Sequence, residues 1–272
     1  MNAQQKLDTI IDKNNSIVCV GLDSDFDKLP EHLKNDPTQQ FTFNKAIIDA
    51  TKDFVCAYKP NSAFYEARGA QGITELKMTC DYLKENCPDI FIILDAKRAD
   101  IGNTNNGYVA FAYDYLEVDA ITLHPYLGKE ALQPFLDRTD KAAIILCHTT
   151  NDGAGEMQNL DVNGEPLYVI VAKKVVNDWN TNNNCMMVLG AKYPEELSQA
   201  RKLAGDMTFL VPGIGAQGGE VENTLKAGLN SKKAGMIINS SRGIIFAGNG
   251  TDFAEKAAEQ TKKLQEEINS YR

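Results

Sequence analysis

Thr208-Phe209-Leu210-Val211-Pro212-Gly213-Ile214-Gly215-Ala216-Gln217-Gly218-Gly219 is a short apolar run that opens into a loop carrying four glycines. The run has the length and composition of a strand buried on both faces, and Pro212 marks its end. Glycines let a backbone come close to an anion, and the helix that follows presents its free N–H groups to it. A second run of the same build, Gly235-Met236-Ile237-Ile238-Asn239, opens into Ser240-Ser241-Arg242-Gly243, where the arginine can add a forked charge contact.

Towards the N-terminus, six more strand-like runs precede these two, at 16–20, 54–58, 91–94, 120–123, 142–147 and 186–189. Helical patterns separate them, at 39–52, 63–86, 166–179, 219–228 and 251–270, with a short leading helix at 2–13. A long polar loop with Gly153, Gly155, Gln158 and Gly164 follows the fifth strand. Eight strands alternating with helices, without a composition break, describe an α/β chain. It is either a closed (β/α)8 barrel or an open doubly wound sheet. Two successive glycine-rich loops after strands seven and eight decide for the barrel, because a phosphate site often lies there. The expectation is a single-domain (β/α)8 TIM barrel over residues 1–272.

The 272 residues are 43% hydrophobic, enough for a full core, and the net charge of −9 argues against a nucleic-acid partner. A small anionic substrate remains compatible if local lysines and arginines reverse the field. No apolar run approaches the roughly 20 residues that span a bilayer, and Met1-Asn2-Ala3-Gln4-Gln5-Lys6 lacks a signal peptide's apolar core. This reads as a cytoplasmic chain without a membrane partner. The six cysteines have no metal-type spacing and fall largely in apolar runs, as reduced core thiols do.

Chemistry gathers at the third strand, Ile92-Ile93-Leu94-Asp95-Ala96-Lys97-Arg98-Ala99-Asp100. Strand side chains alternate, so Asp95 and Lys97 share one side, and Asp100 follows in the loop. A lone Asp-x-Lys is usually a solvated pair, but this one stands at the carboxyl end of a buried strand, where ligands bind in such folds. Two further charged residues hold equivalent places. Lys59, just before Pro60, which stops the ladder, either snorkels to the rim or enters a polar site, and Asp23, after Gly21-Leu22, is either a cap or a ligand group. A lysine–carboxylate array opposite a phosphate anchor suits a reaction that builds negative charge on carbon, since a fixed ammonium stabilises the anion and then protonates it.

These segments together resemble the orotidine 5′-phosphate decarboxylases, in particular their longer bacterial subgroup. The resemblance rests on Gly21-Leu22-Asp23, Lys59-Pro60-Asn61-Ser62-Ala63-Phe64, Asp95 to Thr104, Thr122 to Gly128, Pro212 to Gly219 and Ser240-Ser241-Arg242-Gly243. It implies conversion of orotidine monophosphate to uridine monophosphate and carbon dioxide, the last step of pyrimidine nucleotide synthesis, with no cofactor and no metal. It further implies a homodimer. On this resemblance Lys97 donates the proton to C6 of the pyrimidine, and Lys59, Asp95 and Asp100 complete a charge network. Asp100 and Thr104 reach into the partner subunit's site. Asp23 and Lys59 contact the ribose, Thr150 the pyrimidine edge, and Gln217 and Arg242 the phosphate, with Ser241 a further substrate-binding position. Arg98 is assigned to a structural ion pair. One departure is visible: the subgroup commonly has Thr-Ser-Asn after strand five, and this chain has Thr149-Thr150-Asn151.

Two other readings compete. Metal-dependent relatives with the same Asp-x-Lys-x-x-Asp pattern act on sugar phosphates, but they place a glutamate ligand on strand two, where this chain has Lys59. A catalytically dead nucleotide-binding barrel is the other, against which stand the intact Lys59, Asp95, Lys97 and Asp100.

Overall fold

A computed structural model of the chain describes residues 1–214 and 220–272. All eight expected strands are present: β1 (Val18–Gly21), β2 (Ala57–Lys59), β3 (Phe91–Arg98), β4 (Ala120–Leu123), β5 (Ala142–His148), β6 (Cys185–Leu189), β7 (Phe209–Pro212) and β8 (Met236–Ser240). Each pairs in parallel with the next, and β8 returns to β1 through Val18↔Ile238 and Cys19↔Asn239, so the sheet closes into a barrel. Every residue of β1, β4 and β6 is buried, one face under the helices and the other inside the barrel. That is why these strands are apolar without alternation. The cysteines are all free and buried.

The leading helix α1 (Ala3–Asn14) starts with a capping box between Asn2 and Gln5, which satisfies two end N–H groups. Its Leu7 and Ile10 are buried side chains, each contributing about 1.5–3 kcal/mol through lost apolar exposure. Lys6 pairs with Asp119 at 2.7 Å, and Gln4 accepts from Thr208 Oγ1 at 2.9 Å, so α1 lies across the N-terminal ends of the strands. No helix among the described residues is long and apolar enough to cross a membrane.

Several boundaries differ from the sequence expectation. The second strand begins at Ala57 rather than 54. The Asn14 side chain donates to the carbonyls of Lys52 and Val55, and Ser16 Oγ donates to that of Phe54, which holds this approach out of the ladder. Pro60 does not stop the pairing at its end. It lacks only a donor: its carbonyl accepts from Asp95 N at 2.9 Å, and an Asn61↔Asp95 bridge continues the contact with β3. The helix expected over 63–86 is two pieces, Ala63–Glu66 and α2 (Gly69–Asn86), because Gly69 takes φ +57° and resets the axis. The loop after β5 contains a helical turn, Ala154–Gln158, and a hairpin pairing Val162 with Glu165. Asn163 and Gly164, both at positive φ, make its two-residue turn.

Candidate active site

A cavity of about 660 Å³ opens at the carboxyl ends of the strands. Its floor carries Asp23, Lys59, Asp95 and Lys97, and its far rim is formed by Gly213, Ser241 and Arg242. Asp95 organises the floor. Its Oδ2 accepts from Lys59 Nζ at 2.9 Å, and its Oδ1 accepts from Lys97 Nζ at 2.6 Å and from Thr122 Oγ1 at 2.9 Å. Lys59 Nζ lies 3.9 Å from Asp23 Oδ1, a buried oxygen with no hydrogen-bond partner among the described residues.

The side chain of Lys59 is 5% exposed and that of Lys97 49%, so Lys97 is the ammonium that faces the open cavity. Burial opposes the charge on Asp95, but the two lysines outweigh it and hold the carboxyl well below the usual carboxylate range. Burial likewise opposes the charge on Lys59, and Asp95 and Asp23 overcome it, holding its ammonium above the usual range.

Asp95 and Lys97 do meet, though not by simple alternation. Pairing with β4 shifts from Leu94↔Ile121 to Arg98↔Leu123, so three β3 residues stand against Thr122 alone. Lys97 sits in this bulge at φ +48° with its N–H donated to Thr122 Oγ1 at 2.9 Å. The bulge re-aims the side chain, as bulges beside sites do.

Asp100 does not join this array. It lies in the loop after β3, its Oδ1 accepting from Ile101 N at 2.6 Å and its carbonyl from Asn105 Nδ2 at 2.5 Å. Thr104 ends the following turn, Gly102–Thr104, and is exposed. Both lie outside the lining of the cavity. Arg98 pairs with Glu66 and lies over the Tyr108 ring, as a structural ion pair does.

On the β5 side, Thr149, Thr150 and Gln158 line the cavity. Gln158 turns its amide back on Thr149, donating to Oγ1 at 2.8 Å and accepting from N at 2.8 Å. The extra methyl of Thr150 rests over Gly190, where a Cβ would come within 2.5 Å of it. The glycine thus makes room for threonine in place of serine.

On the far rim, Gly213 takes φ +102° and Arg242 opens a short helix, exposed and without an ion pair among the described residues. Ser241 Oγ donates to the Gly21 carbonyl at 3.1 Å, joining the β8 and β1 loops. Gln217 lies outside the described residues.

Thr122 and Asn239, both buried and both lining the cavity, are residues that pattern reading passed over. Each is a polar side chain inside an otherwise apolar strand run, which is the signal that marks them.

A closed (β/α)8 barrel with a lysine–carboxylate array on the floor of a cavity at one mouth and an exposed arginine on its rim defines a barrel enzyme. Residues 16–257 match the model of the orotidine 5′-phosphate decarboxylase / HUMPS family. The chain belongs to that family. It is 46% identical over 271 residues to an orotidine 5′-phosphate decarboxylase of Cellvibrio japonicus, covering 99% of this chain and 98% of that one. Among solved structures, a UMP synthase of Leishmania donovani superposes with TM-score 0.89 at 38% identity. The match covers all of this chain, which spans 56% of that longer one. The OMP decarboxylase of the same organism superposes with TM-score 0.84 at 35% identity, covering 97% of this chain and 99% of that one.

Proposed function

We propose that this protein decarboxylates orotidine 5′-monophosphate to uridine 5′-monophosphate in pyrimidine nucleotide synthesis. The observation that carries the mechanism is the Lys97 ammonium, 2.6 Å from Asp95 and open to a cavity whose other rim holds Arg242. The C6–carboxyl bond breaks, carbon dioxide leaves, and the electron pair stays on C6. Lys97 stabilises that pair by its charge and then delivers a proton to C6, regaining one from solvent. Asp95 fixes the ammonium, and Lys59 holds Asp95 ionised. Asp23 and Lys59 contact the ribose, Thr150 the pyrimidine edge, and Gln217, Ser241 and Arg242 the phosphate. These distant phosphate contacts supply binding energy for closing the loops over the reacting ring.

The working unit is a homodimer in which Asp100 and Thr104 reach the partner subunit's site. In support, both stand outside the lining of their own chain's cavity, and the apolar side chains of Ile101, Tyr126 and Leu127, from the loops after β3 and β4, are exposed. The chain works in the cytoplasm and needs no metal. A metal-dependent sugar-phosphate reaction would require a ligand where the buried Lys59 ammonium stands, and that charge repels a divalent cation.

The experiment follows the ultraviolet absorbance of orotidine monophosphate in the presence of a chelator. Absorbance falls with the native protein and is unchanged by chelation. Lys97→Ala lowers turnover more than about 10³-fold while uridine monophosphate still binds. Near-normal turnover in Lys97→Ala would remove the proton donor, and activity lost on chelation would restore the metal-dependent alternative.

A further inference from the structure

Among the described residues, six non-glycine residues have positive φ: Asn15, Lys97, Glu117, Asn163, Asn183 and Lys233. Five sit in turns, bends and loops, and among the described residues only Lys97 lies inside a strand. An L side chain keeps such a conformation only where its surroundings impose it. The group that meets its backbone here is the hydroxyl of Thr122. It accepts from Lys97 N at 2.9 Å, and its one proton goes to Asp95 Oδ1, also at 2.9 Å. The same Oδ1 accepts from Lys97 Nζ. Backbone and ammonium of one lysine, one carboxylate oxygen and one hydroxyl therefore form a closed circuit.

Thr122 is 1% exposed, so solvent has no ready access to replace its hydroxyl. Its β-branch restricts χ1, and its strand is held on both sides by β3 and β5. We propose that Thr122 is a positioning residue for proton delivery: it sets the bulge at Lys97 and the orientation of Asp95, and so aims the ammonium into the cavity. It acts through those two residues. As a statement about turnover, this rests on the decarboxylase reading above.

Thr122→Val keeps the shape and removes both hydrogen bonds, whereas Thr122→Ser keeps both. The expected result for valine is a kcat lowered about 10- to 100-fold with KM within about threefold, because proton delivery loses its geometry while the phosphate contacts remain. Serine restores kcat to within about threefold of the native value. A crystal structure of Thr122→Val shows Lys97 out of the left-handed region or its Nζ displaced from Asp95. Should the valine variant fail to fold, Thr122→Cys, a weak donor and acceptor of similar size, gives the same readings. An unchanged kcat in the valine variant, a serine variant as impaired as valine, or a valine crystal structure with Lys97 unmoved would each overturn the proposal. If native protein does not consume orotidine monophosphate, the decarboxylase reading falls, and the crystal comparison alone decides the positioning claim.

Discussion

Asp95 is where one residue carries the most electrostatic weight. Three donors converge on its two oxygens, and its side chain is 11% exposed, so the charge is stable only while both lysines are present. Asp95→Asn leaves the Lys59 ammonium buried with only the more distant Asp23, and we expect a loss of about 3 kcal/mol, read as a melting midpoint lowered by roughly 5–10 °C. The pH dependence has two ends. Asp95 is held below its ordinary pKa of 3.8, so its stabilisation is present above that value and fades as pH falls below it. Lys59 is held above its ordinary 10.5, so its stabilisation is complete below that value and fades as pH rises past it. The native-minus-Asp95→Asn difference in unfolding free energy should therefore be flat between about pH 5 and 9 and shrink on both sides. A difference that instead changed steadily through neutrality would contradict this assignment of charges.

At the scale of elements, the end of the barrel opposite the cavity is tied by Arg201 of the helix α3 (Pro194–Ala204). Its guanidinium donates to the carbonyls of Gly228 at 2.8 Å and of Gly205, Met207 and Gly235 at 2.7 Å, and it stacks on Phe209 at 3.7 Å. Burial lowers its pKa to about 10, against a weaker pull from Asp206. The planar fork satisfies four carbonyls that lead into β7 and β8, which a lysine cannot do. Arg201→Lys should cost about 2–4 kcal/mol in urea unfolding while kcat at 25 °C stays near native, since this face of a barrel serves stability. Equal stability of the two proteins would mean that water replaces the fork. The element-level misreadings have related causes. Periodicity cannot register that Asn14 and Ser16 hold carbonyls about 40 positions away and so delay β2, or that Pro60, though no donor, still accepts from β3.

For the whole molecule, the proposed assembly gives a test that no single chain can satisfy. If Asp100 serves the partner's cavity, Lys97→Ala and Asp100→Ala are each inactive alone, yet a hybrid dimer has one intact site. Random subunit exchange makes half of the dimers hybrid, so mixing should restore about a quarter of native activity. No recovery between two variants shown to exchange subunits would place Asp100 in its own chain's chemistry or in none.

Much of this design was legible along the chain. Eight apolar runs, the glycine loops after the last two, and charged residues at the ends of strands one to three are local patterns, and they determined the barrel and that Asp23, Lys59, Asp95 and Lys97 stand at one mouth of it. What only the tertiary structure decided is how those charges are aimed. The bulge at Lys97 depends on a hydroxyl 25 residues away, and the fit of Thr150 depends on Gly190 beneath its methyl. Neither leaves a mark on periodicity, because a left-handed lysine and a side chain over a glycine are settled by cross-strand packing, which exists only once the strands lie side by side.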